Sequence, residues 1–394
     1  MWRWYLASRA VCVLLLVPES GVLSDITYIA RALSESGPDS ALPEYPWPAV
    51  ALLNLPRLLG AQDGLQFHLS LIALFVAIDA AFAWCLWRAG EYRMTRGMMV
   101  WLLAGPALGP LVLARFDSLA GALLALALLA LSAPRAARAG VLAALGCGIK
   151  LFPVVALPAL LVPGGSRQRV AAIAGIALAG IALAAASVAA GGFERLWSPL
   201  AFQGQRGLQV EAFTALPFLW LRHFNPGTWE ASLGACRCYE LHGPGVELAM
   251  QFASAGLLAG FAGLALLYWR AFRAPETART AALAARLTVL ALIVFIASNK
   301  VFSPQYLLWL AAPLAVLALL AHDGLPRADL GLLIAACALT HLMVLPMNYA
   351  ALARVEDSRV WVLAVLLARD AAIVALGARL AARTWRDTLK SGLA

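Results

Sequence analysis

Charge is scarce in this sequence. Only 13% of the 394 residues are Asp, Glu, Lys or Arg, about half the share found in a soluble globular domain, while 62% are hydrophobic and the mean hydropathy is +0.81. One globule cannot bury that much apolar surface, so a water-soluble enzyme is excluded and a bilayer is the natural solvent. Lysine is nearly absent: 27 of the 30 cations are Arg. The net charge of +9 would fit a nucleic-acid partner only if it formed a contiguous basic face. The Arg residues instead sit in short clusters between apolar runs, the pattern that orients membrane proteins, so no nucleic acid is expected. Cysteine is also sparse. Cys12, Cys85, Cys147 and Cys337 lie in apolar runs as small hydrophobes. Cys236 and Cys238 share a polar loop with no Cys/His set that completes a metal site, and a disulfide from one of them to another segment stays open. The N-terminal run Trp4 to Val17 lacks a small-residue cleavage site, so it reads as a retained span. No internal repeat of the transporter kind is present.

What is present is a series of apolar windows. At roughly 20 residues per crossing, ten emerge: 2–18, 68–87, 97–114, 117–133, 169–190, 247–269, 282–299, 304–321, 329–347 and 358–380. Residues 138–162 are apolar but broken by Lys150 and Pro153, with Arg pairs on both flanks. That places both ends on one side and predicts a re-entrant hairpin with Lys150 at its tip. The expectation is an all-α polytopic protein, one domain over 1–394, with both termini in the cytoplasm. On that topology the cytoplasmic segments, Arg9 among them, carry eighteen cations against five acids. Arg379, Arg383, Arg386 and Lys390 recur at helical spacing, as a helix lying on anionic headgroups or as a solubilising tail. Two extracytoplasmic loops, 19–67 and 191–246, mix aromatics, prolines and charges and read as folded.

Chemistry-bearing residues collect on that same side. Asp25 follows the first span and can serve as a general base toward a sugar hydroxyl. It can equally cap the helix that starts there, and Glu19, Glu35, Asp39 and Glu44 compete with it for the role of base. Arg115-Phe116-Asp117 joins two spans and reads either as substrate-binding or as a salt-bridged turn. Lys150 at membrane depth defaults to function over anchoring. Arg206, Glu211 and Lys300 add charge to the second loop and its surroundings. Asp79, Arg369 and Asp370 lie inside spans.

Taken together, Asp25…Tyr28…Tyr45-Pro46-Trp47-Pro48, Gly148-Ile149-Lys150…Pro153, Arg206-Gly207-Leu208-Gln209-Val210-Glu211 and Ser303-Pro304-Gln305-Tyr306 resemble the polyprenol-phosphate-mannose-dependent mannosyltransferases, a GT-C-type group of membrane glycosyltransferases typified by bacterial α-1,2-mannosyltransferases. Trp47 departs from that pattern, where a second consecutive proline is usual, and the stretch Ser34–Pro43 is unusually polar. The resemblance implies sugar transfer, mannose or arabinose, from a polyprenyl-phosphate donor to a glycolipid or glycan acceptor at the outer face of the plasma membrane. It implies Asp25 as base, Lys150, Arg206 and Lys300 at the donor phosphate, and Tyr28, Tyr45, Arg115, Asp117, Glu211, Gln305 and Tyr306 around the substrates. No Asp-x-Asp motif occurs, so neither a metal nor another cofactor is expected. The competing readings are a transporter or lipid flippase, favoured by the charges inside spans, and a scaffold subunit of an envelope assembly.

Overall fold

The computed structural model describes residues 1–61, 64–234, 238–322, 324–353 and 360–390, so Cys236 lies outside the described residues. Five helices are long and apolar enough to cross a membrane: Gly64–Ala89, Ser166–Gly204, Val246–Arg273, Arg327–Val344 and Val360–Leu389. A sixth crossing arises if Trp2–Leu16 and Ser20–Ser40 count as one span, but these are bent by 95°. The bend falls at Pro18, which has no N–H to continue the helical ladder. Beyond it, helix Ser24–Ser40 buries Ile26, Ile29 and Leu33 along one face and leaves its other face polar.

Of the ten expected crossings, five or six are found as helices of full spanning length. The windows at 97–114, 117–133, 282–299 and 304–321 become helices Arg96–Leu108, Asp117–Ala130, Ala281–Ala297 and Tyr306–Leu320, of 13 to 17 residues. At 1.5 Å per residue these reach roughly 20–25 Å, short of a hydrocarbon core of about 30 Å. Their apolarity serves protein contacts instead: Tyr306–Leu320 is buried over most of its length. Among the spanning helices, by contrast, Val170, Leu178, Ile181 and Leu258 point outward. Helix Ala136–Ile149 ends at Lys150, whose backbone is extended, and the chain continues as a tighter helix, Phe152–Leu161, packed against Ala136–Ile149 and Ala281–Ala297.

Both long polar segments are folded, and the second adds a small sheet to an otherwise all-α protein. Helix Ser166–Gly204 kinks at Gly191 and Gly192, the latter at φ 72°. After it come β1 (Leu208–Gln209), helix Leu216–Phe224, β2 (Glu230–Leu233) and β3 (Tyr239–His242), whose strands form an antiparallel sheet in the order β1-β3-β2.

Three sets of charges inside the bundle are paired. Arg9, assigned from the sequence to the cytoplasmic edge, is buried and grips both oxygens of Asp79 at 2.7 and 2.8 Å, while Tyr5 donates to Asp79 at 2.6 Å. Arg369 reaches Glu211 at 2.6 Å and Asp370 at 2.9 Å. Arg379 and Arg383 both close on Asp329, at 2.6 and 2.7 Å. Arg386 donates to the carbonyl of Ala382 in its own helix.

Candidate active site

The site is organised by three consecutive residues. Arg115-Phe116-Asp117 links the short helix Leu111–Ala114 to helix Asp117–Ala130, and each side chain holds a different part of the chain. Arg115 Nε lies 3.1 Å from Asp25 Oδ2, and its Nη1 donates to the Val22 carbonyl at 2.7 Å. These contacts fix the first turn of helix Ser24–Ser40, while the Asp25 side chain stays 39% exposed. Asp25 caps nothing there, since Leu23 is the cap residue and offers no side-chain bond. Asp117, with its side chain 1% exposed, accepts from Lys150 Nζ at 2.6 Å and from Trp309 Nε1 at 2.8 Å.

Lys150 is enclosed as well as paired. Its ammonium lies 5.6, 5.2 and 5.7 Å from the ring centres of Tyr45, Phe116 and Trp309, all within cation–π range. Those rings continue into a stack: Tyr45 meets Phe116 edge-on at 4.9 Å, and Trp309 lies between Phe152 at 4.0 Å and Tyr306 at 3.7 Å. The extended backbone at Lys150 makes this possible, because it swings the side chain off the helix end and towards Asp117. Burial and the acids Asp25, Glu44 and Asp117 hold the Tyr45 phenol well above its ordinary pKa.

The remaining predicted residues sit at graded distances. Tyr28 lies on the Asp25 helix and donates to Glu44. Tyr306 is within electrostatic range of both Asp117 and Arg206, which links the aromatic stack to the second loop. Arg206 Nη2 lies 3.4 Å from Cys238 Sγ, and Glu240 accepts from the Gly207 amide at 2.9 Å. Lys300 Nζ reaches the Gly204 carbonyl at 3.4 Å, while its own carbonyl accepts from the Gln209 amide. Gln305 is the partly buried cap of helix Tyr306–Leu320. Glu211 is placed elsewhere: it has no exposed surface and its carboxylate is held by Arg369. Burial pushes the Glu211 carboxyl up against the opposing pull of Arg369.

Of the competing acids, Glu35 pairs with exposed Arg31, Asp39 accepts from Trp47 Nε1, and Glu19 is occupied by His341 at 2.9 Å. Glu44 alone among them adjoins the site. Phe152 and Trp309, which help build it, went unmarked in the sequence because aromatic side chains in apolar windows read as ordinary core, and Phe116 stood out only as the middle of the Arg115–Asp117 link.

A model of glycosyltransferase family 87 matches residues 45–304, two thirds of the chain. The chain belongs to glycosyltransferase family 87. It is therefore a membrane-embedded glycosyltransferase, acting on a sugar donor and an acceptor. The match opens at Tyr45 and takes in Arg115, Asp117, Lys150, Arg206 and Lys300, while Asp25 and Tyr28 precede it and Gln305 and Tyr306 follow it. No curated protein matches the chain.

Proposed function

We propose that this family 87 glycosyltransferase moves a sugar, mannose in the first instance, from a polyprenyl-phosphate donor to a glycolipid or glycan acceptor. The reaction takes place on the extracytoplasmic face of the plasma membrane. One observation carries the reading: a partly open carboxylate, Asp25, and a caged cation, Lys150, are held at the two ends of the same three-residue link. An inverting displacement needs those two charges on opposite sides of the sugar. The acceptor oxygen bonds to the anomeric carbon and gives its proton to Asp25. The bond from that carbon to the phosphate oxygen breaks, and its electron pair leaves with the lipid phosphate.

A phosphate leaving group needs positive charge rather than an acid. Lys150 has three N–H donors, of which Asp117 takes one. Arg206 and Lys300, on the neighbouring loop, extend the cationic side. Arg115 orients Asp25, and Tyr28, Tyr45, Gln305 and Tyr306 line the interval. Glu211 enters only indirectly, by holding the second loop on Arg369.

The test is transfer of labelled mannose from polyprenyl-phospho-mannose by purified protein in detergent, where no gradient exists to drive transport. Retained transfer supports the enzyme reading. Absence of transfer from this donor, with protein that melts cooperatively, overturns the proposed donor.

A further inference from the structure

The segment before Tyr45 is held in an unfavourable shape. Leu42 adopts φ 55° although it is a buried non-glycine residue, a conformation that costs free energy and persists only where its surroundings enforce it. The enforcement comes from the other long loop. Arg195, 5% exposed, donates through Nη2 to the carbonyls of Ala41 and Leu42 at 3.2 and 3.5 Å, and through Nη1 to Ser198. Arg195 reaches them because its helix is kinked one turn earlier. A Cβ on Gly191 would stand 2.9 Å from the Arg195 Cβ, so the kink glycine also makes room for this side chain.

The strained turn delivers two side chains. Tyr45 enters the cage around Lys150, and Glu44 lands beside it. Tyr28, one turn along the helix from Asp25, donates to Glu44, which also lies within electrostatic reach of Lys150. Its Oε2 is buried without a hydrogen-bond partner among the described residues. A buried carboxylate oxygen left unpaired costs free energy unless something else pairs it. In the proposed displacement the sugar ring occupies the interval between base and phosphate, and Glu44 adjoins that interval through Tyr28 on the Asp25 helix and through its reach to Lys150.

We propose that Glu44 binds hydroxyls of the transferred sugar and sets donor specificity, and that Arg195 is its positioning residue, acting across the two loops through Leu42. The inference rests on the glycosyl-transfer reading above and deepens it. Burial raises the Glu44 carboxyl above its ordinary range, which fits a group that waits dry for a hydroxyl.

The test measures kcat and KM with polyprenyl-phospho-mannose and with its singly deoxygenated analogues, for wild type, Glu44→Gln, Glu44→Asp and Arg195→Lys at matched thermal stability. A hydrogen bond to a charged group corresponds to roughly 10- to 150-fold in kcat/KM. Glu44→Gln is expected to lose about that factor with the full sugar, and much less with the one analogue lacking the hydroxyl that Glu44 binds. Arg195→Lys keeps the charge but not the planar fork, and is expected to blur the same discrimination. Equal losses on every donor, or none, overturn the role of Glu44. Unchanged discrimination in Arg195→Lys overturns the positioning role. Failure of the wild type to use any of these donors would instead remove the donor reading, and this inference with it.

Discussion

Two carboxylates, Asp25 and Asp117, make opposite demands on their cationic partners. Asp25 is partly open, and an ion pair at such a site contributes up to about 1 kcal/mol. Asp25→Asn should therefore leave the melting midpoint nearly unchanged, while turnover falls by the roughly 10²- to 10⁴-fold that general-base catalysis supplies. Turnover within a factor of a few of wild type would remove Asp25 from the mechanism. Asp117 is buried, and Lys150 is its counter-charge. Lys150→Gln strands that anion, so a loss of about 3–5 kcal/mol of stability is expected along with loss of activity. The double variant Lys150→Gln/Asp117→Asn separates the two effects. Its stability should recover substantially, because no uncompensated charge remains, while donor turnover stays depressed. Recovery of turnover together with stability would show that Lys150 serves only to neutralise Asp117.

At the scale of elements, apolar runs revealed where helices lie but not what covers them. Gly64–Ala89 and Tyr306–Leu320 look alike by composition, yet one has outward-facing leucines and the other is enclosed by protein. Hydropathy measures transfer out of water and is blind to whether lipid or protein receives the side chain. The break at Lys150 was legible because a cation and a proline interrupt an apolar run. The Arg195 contact with Leu42 was not, since it joins residues some 150 positions apart with no local signal. Glu211 was misleading for a related reason: a charge in a polar loop reads as exposed until its partner Arg369 is seen in the last long helix. That pair pins the sheet-bearing loop to the bundle, and the prediction belongs to the element. Arg369→Gln leaves Glu211 and Asp370 buried without their cation, and should lower stability by about 3–5 kcal/mol. Limited proteolysis should then cut within 205–234 well before the bundle. Unchanged cleavage kinetics would mean that the hydrophobic contacts of the loop hold it without the pair.

Over the whole molecule the charges divide by end. Helix Gly64–Ala89 begins beside the site, where His68 meets Thr27, and from His68 reaches Arg88 about 30 Å away at 1.5 Å per residue. Arg96 lies against Gly324 at that far end, close to Arg327. Arg270 stacks on Trp385 and Arg286 pairs with Asp387, which brings the last helix to a cationic end as well. One end thus collects the Arg clusters and the other the site, the asymmetry that positive-inside orientation acts on. Both termini are accordingly expected in the cytoplasm, with the Arg115–Lys150 site facing out. A cysteine placed at Gly227, in the exposed turn before β2, should react with impermeant maleimide on intact cells, and one placed at Glu91 only after permeabilisation. The reverse pattern would turn the molecule over and put the site in the cytoplasm. Sugar transfer would then have to draw on a donor presented at the inner leaflet, and the extracytoplasmic siting of the reaction would fail before any kinetics were measured.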